Sequence, residues 1–271
     1  MTTLSGSAPA ATGKIHVSIE HGVGRLVLDN PGKLNAVSIS MWDTFMAALD
    51  AFERDPAVRC AIVAGAGDKA FCAGADITQM EGVDATPDAV IEYERIAKAG
   101  LRRMAAFRKP SIAMISGYCL GAGLGLVVGC DLRVADTTAR FGIPAAKLGL
   151  GYYYDGLKRL TDLIGPSKTK QIMFTAARYP ADHMLRIGLI DELVSPHGLA
   201  EHAQSIADSI VANAPLAVET LKLGIEAVYD DPAVRDLAAC AARELACTRS
   251  EDCAEGRRAF LEKRAPVFKG R

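Results

Sequence analysis

Residues 109–136 read KPSIAMISGYCLGAGLGLVVGCDLRVAD. Ser111–Ile115 is a short apolar run bounded by proline and glycine, which predicts a buried strand. Four glycines then fall between Gly121 and Gly129, and no charged residue appears before Asp131. That run predicts a helix apolar on every side, a pattern stable only where neighbours cover it. Leu132–Asp136 predicts another strand. A buried strand, a glycine turn, a buried helix and a second strand in succession need layers on both sides, which places the chain in the α/β class.

The same alternation extends in both directions. Ile15–Asn30 alternates apolar and polar residues around HGVG and predicts a β-hairpin. NPGKLNAVS is a loop. Ser38 is a candidate cap for a helix reaching about Glu53, with Met41, Phe45, Leu49 and Phe52 on one face. CAIVAGAG predicts a strand entering a glycine turn, AFCAGADITQM a second strand-like piece, and residues 84–107 a helix. ARFGIP predicts a short extended piece and Leu157–Ile164 a helix. PSKTKQIMFTA predicts a further helix with Pro166 at its start, and IGLIDELVSP a strand stopped by proline. Strands alternate with helices to about residue 197, as repeated ββα units would. From Leu199 the pattern is helical, with segments at Leu216–Tyr229, Pro232–Arg249 and Ser250–Lys263. Their amphipathic faces exceed what the tail can bury alone, so subunit packing is expected. The chain divides into a leader (1–13), a core (14–197) and a helical segment (198–271).

Composition excludes several function classes. Half of the 271 residues are apolar and 23% charged, enough for a full core. The net charge is −1 and no basic stripe occurs, so nucleic acid is not an expected partner. The seven cysteines form no C-x-x-C pair and sit mostly in apolar runs, which predicts reduced thiols in a reducing compartment. Five scattered histidines offer no zinc spacing, so no metal site is expected. The first residues, MTTLSGSAPAATGK, lack the apolar core of a secretion signal and predict a disordered leader. No charge-free apolar run is long enough to span a membrane. The cytoplasm is the expected location.

Two glycine loops are candidates for chemistry. In FCAGADI (Phe71–Ile77) a glycine at a strand-to-turn junction lets the next backbone N–H point into a pocket. In GYCLGAGLGL (Gly117–Leu126) the glycines open into a helix whose first N–H groups and positive dipole end suit a developing negative charge. One donor from each loop would make an oxyanion hole. The second loop is not a dinucleotide fingerprint, because the third glycine and the ribose acid are missing, and no Gly-Lys-Ser/Thr makes it a P-loop.

In this order, the two loops carry a resemblance. KLNAVS (33–38), KAFCAGADITQM (69–80), residues 109–136, ARFGIPAAKLGL (139–150), KRLTDLIGPSKTKQIMFTA (158–176), AARYPADHMLRIGLIDELV (176–194) and SEDCAEGRRAFLEKRAPVFKG (250–270) are similar to the crotonase superfamily, named for enoyl-CoA hydration. The resemblance covers nearly everything after residue 14. It implies a spiral core of ββα units and a helical C-terminal segment that builds trimers, often paired into hexamers. It implies an acyl-CoA thioester as ligand, with no cofactor beyond the CoA moiety. By position, the oxyanion donors would be the N–H groups of Ala75 and Ala122. Ala73, Asp76 and Ile77 match residues that meet the CoA adenine, and Lys33, Leu34 and Ala36 match the neighbouring loop. Phe260 and Lys263 match C-terminal residues that touch CoA, often from another subunit.

The family's hydratases use two glutamates, one to activate water and one to deliver a proton. Those positions here are Gly125 and Ala145, and no glutamate occurs anywhere from Arg95 to Asp191. Asp131 and Asp136 flank a strand and read as structural, while Asp162 and Asp182 read as solvated. Asp155 reads either as a helix cap or as an acid/base group. Tyr152, Tyr153 and Tyr154 cannot all face one pocket, and Tyr152 matches a tyrosine of the family's methylmalonyl-CoA decarboxylases. The preferred expectation is an enzyme acting on an acyl-CoA thioester through an enolate, by decarboxylation, isomerisation or hydrolysis, with Tyr152 and Asp155 positioning the acyl group. The alternatives are hydration through Asp155 and a catalytically silent acyl-CoA-binding oligomer.

Overall fold

The computed structural model of the chain describes residues 13–76 and 86–271. Strands β1 (Lys14–Glu20) and β2 (Val23–Asp29) pair antiparallel, Lys14 opposite Asp29. His21 and Gly22 both have positive φ, 51° and 83°, the backbone a two-residue hairpin turn requires. Helix α1 (Ile39–Arg54) starts where Ser38 accepts a hydrogen bond from the Met41 N–H at 3.3 Å. It buries Met41, Trp42, Phe45, Leu49 and Phe52 along one stripe. The opposite end of α1 is closed from a distance. Lys109 is buried, and its Nζ donates to the carbonyls of Phe52, Asp55 and Val58 at 2.6–2.7 Å.

Three ββα units follow. They are β3 (Cys60–Gly65), β4 (Ala70–Cys72) and α2 (Pro87–Ala105), then β5 (Ser111–Ile115), β6 (Tyr118–Leu120) and α3 (Ala122–Gly129), then β7 (Leu132–Asp136), β8 (Arg140–Gly142) and α4 (Tyr154–Thr175). After these come β9 (Tyr179–Pro180), α5 (Ala181–Arg186) and β10 (Glu192–Val194). The first strand of each unit joins a six-stranded sheet ordered β1-β2-β3-β5-β7-β10. The second joins a four-stranded sheet ordered β4-β6-β8-β9. Inside the large sheet the units pair in parallel, Ile62 beside Ile112 and Met114 beside Val134. Each unit thus turns one step around the main core, and the expected spiral of ββα units is the observed architecture.

The two helices expected around Pro166 are both present: α4 is broken at Gly165, whose backbone is not helical (φ 76°, ψ 161°), and Pro166 opens the second part, where its missing N–H costs no ladder bond. The strand expected across IGLIDELVSP shortens to Glu192–Val194, which pairs with β7.

Helix α6 (Leu199–Val211) lays Leu199, Ala203 and Ala207 on the outer face of the large sheet, against Ile62, Ile112 and Val134. The alanine stripe lets the helix approach closely. Helices α7 (Pro215–Tyr229), α8 (Leu237–Arg249) and α9 (Glu251–Glu262) bury little, and Leu221 (65% exposed), Phe260 (83%) and Leu261 (81%) face outward. The last residues turn back on α9. Asp252 is buried and accepts from the Lys269 and Gly270 N–H groups at 2.7 and 2.8 Å.

Candidate active site

The two glycine loops meet. Gly74 takes φ 116° and Gly121 φ 53°, both outside the range comfortable for side chains. A Cβ at position 74 would sit 3.3 Å from the Leu120 carbonyl and 3.8 Å from the Ala122 nitrogen, so the loops touch backbone to backbone. Val37 bridges to Ala75 in parallel fashion: the Val37 N–H donates to Gly74 O at 2.9 Å, and the Asp76 N–H to Val37 O at 3.0 Å. Those bonds use the groups on either side of Ala75, and its own N–H faces the other way. Ala122 is the first residue of α3, and Gly121 ahead of it offers no side-chain cap. Among the described residues neither the Ala75 nor the Ala122 N–H has an acceptor. Two unpaired donors beside a helix start can hold a carbonyl oxygen that gains negative charge.

The loop after β2 is tightly organised. Leu34 and Asn35 adopt left-handed backbone, φ 51° and 58°. The Asn35 amide donates to the carbonyls of Ala66 and Ala70 at 3.0 and 2.7 Å, and Asn30 donates to the Ala36 carbonyl at 2.7 Å. Asp76 is buried, and Lys33 Nζ reaches its two oxygens at 3.1 and 2.8 Å. The Ala73 N–H donates to Leu34 O at 2.9 Å. Lys33, Leu34, Ala36, Ala73 and Asp76 therefore form one cluster beside Ala75. Ile77 lies outside the described residues. Phe260 and Lys263 sit at the far end of the chain, Lys263 closing α9 in left-handed conformation (φ 53°), and no hydrogen bond among the described residues ties them to this cluster.

Beyond the donor pair a cavity of about 200 Å3 runs between α2, α3 and α4. Gly125 lines it, one helical turn past Ala122. A Cβ at 125 would meet the Leu101 methyls at 3.1 and 3.2 Å and the Tyr152 hydroxyl at 3.5 Å. The space where a longer residue would project is filled by a leucine and a phenol. Ala145 begins a single 3-10 turn, Ala145–Leu148, and Ile143 rather than Ala145 reaches the cavity.

Of the three tyrosines, Tyr152 and Tyr153 line the cavity with ring centres 4.9 Å apart. Tyr154 is 75% exposed. Gly156 makes this possible, since a Cβ there would strike the Tyr153 ring at 2.5 Å. Burial, then the neighbouring Tyr153, holds the Tyr152 phenol well above its ordinary range. Burial, then the Asp155 charge, pushes Tyr153 up to about 12. Both stay protonated at ordinary pH and can only donate or accept hydrogen bonds.

Asp155 is not the helix cap. Helix α4 starts at Tyr154 after Tyr153, so Asp155 stands inside the first turn, where its charge still favours the dipole. Its carboxylate accepts from Arg102 Nε at 2.6 Å, with both side chains about half exposed. The other aspartates are structural or solvated, as expected. Asp131 accepts from the Ser111 N–H and hydroxyl and from Lys222, Asp136 accepts from Thr138, and Asp162 and Asp182 pair with Lys158 and Arg186. The sequence reading missed Arg102 and Arg159, which line the cavity with Asp155. Arg102 and Asp155 are 53 residues apart, so no local pattern marks the pair.

Comparison with known proteins agrees with this architecture. The family model for enoyl-CoA hydratase/isomerase matches residues 18–271. The chain is 35% identical over 248 residues to a short-chain-enoyl-CoA hydratase of Clostridium acetobutylicum, covering 90% of this chain and 93% of that one. It is 34% identical to a crotonyl-CoA hydratase of Syntrophomonas wolfei, over 92% of this chain and 95% of that one. The crystal structure of an enoyl-CoA hydratase/carnithine racemase from Magnetospirillum magneticum superposes with a TM-score of 0.87 at 29% identity, over 98% and 97% of the two chains. A spiral of ββα units, two touching glycine loops and likeness over nearly the whole length together place this chain in the enoyl-CoA hydratase/isomerase family of the crotonase superfamily.

Proposed function

We propose that the protein is an enzyme that binds an acyl-CoA thioester and stabilises its enolate or oxyanion with the backbone N–H groups of Ala75 and Ala122. The observation that carries this is the pair of unengaged donors beside a cavity lined by tyrosines and no glutamate. Removing one such donor typically lowers kcat by about 10²–10³. Reactions that leave negative charge on the thioester oxygen and ask little of a water-activating base fit this equipment. Decarboxylation and double-bond isomerisation qualify, and hydrolysis would in addition need Asp155 to take a proton from the attacking water. Tyr152 orients the acyl group as a neutral hydrogen-bonding partner. Lys33, Leu34, Ala36, Ala73, Asp76 and Ile77 hold the nucleotide end, with Phe260 and Lys263 supplied by a neighbouring copy. The exposed apolar faces of α7–α9 support a trimer or a pair of trimers.

The test is a panel of malonyl-, methylmalonyl-, enoyl- and cyclic acyl-CoA esters read by mass spectrometry. Loss of CO2, an isomer of unchanged mass or release of free CoA would each support the reading. Efficient addition of water to crotonyl-CoA would sink it in favour of hydration through Asp155. The relatives' names support that second reading, which requires Asp155→Asn to abolish the activity. Tight acyl-CoA binding without turnover of any ester would leave a silent binding oligomer.

A further inference from the structure

We infer that the cavity along α3 recognises an acyl group with a carboxylate at its far end. This rests on the acyl-CoA reading above and adds the class of acyl group. Ala122, Gly125 and Gly129 fall at i, i+3 and i+7 on one face of α3, and Gly125 and Gly129 line the cavity. The α3 residues that line the cavity run from Leu124 to Gly129, about 7.5 Å of helix rise, and the nearer glycine, Gly125, lies one turn past Ala122. The wall close to Gly125 is apolar, with Leu101, Leu124 and Val128.

Arg159 marks the Gly129 end, since it donates to the Ala105 carbonyl and a Cβ at 129 would lie 3.5 Å from the Ala105 nitrogen. Arg102, Arg159 and Asp155 are the charged residues that line the cavity, and each arginine has one carboxylate beside it, Asp155 for Arg102 and Glu226 for Arg159. Arg102 uses only Nε, on Asp155. Arg159 uses only Nη2, at 3.3 Å from the Ala105 carbonyl and 3.3 Å from Glu226, which approaches from outside the cavity. Among the described residues the other guanidinium nitrogens, Nη1 and Nη2 of Arg102 and Nε and Nη1 of Arg159, have no partner. A hydrocarbon tail reaching them would strip their water and return no hydrogen bond, which is unfavourable. A carboxylate accepts from a guanidinium in a planar two-bond fork and would engage those remaining N–H groups. The Tyr153 phenol, protonated at ordinary pH, adds a further O–H beside Asp155. Both arginines are part exposed, so the carboxylate would stay partly wet and the preference would be moderate and salt-sensitive.

The experiment is calorimetric binding of adipoyl-CoA, hexanoyl-CoA and free CoA, three ligands that share the nucleotide. At low salt, adipoyl-CoA is expected to bind about tenfold more tightly than hexanoyl-CoA, and both more tightly than free CoA. Arg102→Gln and Arg159→Gln should bring the preference to about unity. Asp155→Asn removes a competing carboxylate and should increase it, the opposite sign from structural damage. If hexanoyl-CoA binds wild type as tightly as adipoyl-CoA while both exceed free CoA, the inference is overturned and the acyl-CoA reading stands. If neither acyl ester exceeds free CoA, the reading beneath it fails too.

Discussion

Position 125 shows how neighbours decide what the space beside a glycine holds. The helix turn is preserved, but Leu101 and the Tyr152 hydroxyl occupy the room in front of it. If Tyr152 orients the acyl group, Tyr152→Phe should lower kcat by about tenfold or more while leaving the affinity for free CoA unchanged. Steady-state kinetics on whichever ester turns over, with CoA titration, checks this. Two residues earlier, glycine has a different reason. A Cβ at 123 would lie 2.4 Å from the Cys72 carbonyl, a backbone atom that cannot swing aside. Gly123→Ala should cost about 3 kcal/mol, read as a lower urea midpoint. The sequence marks both glycines equally. Only the neighbours show that one keeps two elements close and the other leaves space for a phenol.

Among the elements, helix α1 was legible almost completely. Its cap at Ser38 and its buried face follow from a period of 3.6 and from the chemistry of a hydroxyl at a helix start. Its C-terminal closure by Lys109 was not legible, because the lysine arrives from more than 50 residues away. Lys109→Met should destabilise the fold by about 2–3 kcal/mol, since carbonyls at the end of α1 would lose charge-assisted partners; equilibrium denaturation measures it. The two helical parts of α4 were legible, but not the residue at which the first begins. Starting at Tyr154, it puts Asp155 into the first turn and into contact with Arg102. That contact turns a candidate acid into one member of an ion pair at the cavity's charged end.

The molecule as a whole joins a core of ββα units to a helical segment that leaves large apolar side chains outside. Leu221 and Leu261 in water would each forgo about 1.5–3 kcal/mol of burial. The chain should therefore sediment as a multiple of its 28.7 kDa mass, and Leu221→Asp with Ile225→Asp should shift it toward monomer. Acid should loosen the C-terminal end first. Arg264, then Arg258, then the Val267 N–H hold the Glu255 carboxyl far below the usual carboxylate range. A lowered folded value means this stability is complete above the unfolded pKa, about 4.3, and is lost as pH falls toward the folded one. The melting difference between wild type and Glu255→Gln should be largest near neutrality and shrink below about pH 4.

The sequence alone determined the α/β class, the order of the ββα units and the glycine loops that bring two backbone N–H groups together. These follow from local periodicity and from backbone conformations that only certain residues tolerate. It also excluded a glutamate pair in the segment that builds the cavity. The tertiary structure decided which tyrosines face the cavity, that Leu101 and Tyr152 fill the place beside Gly125, and that Arg102 and Arg159 guard its far end. Those depend on contacts between residues far apart in the chain, and no pattern along one element records which elements will meet.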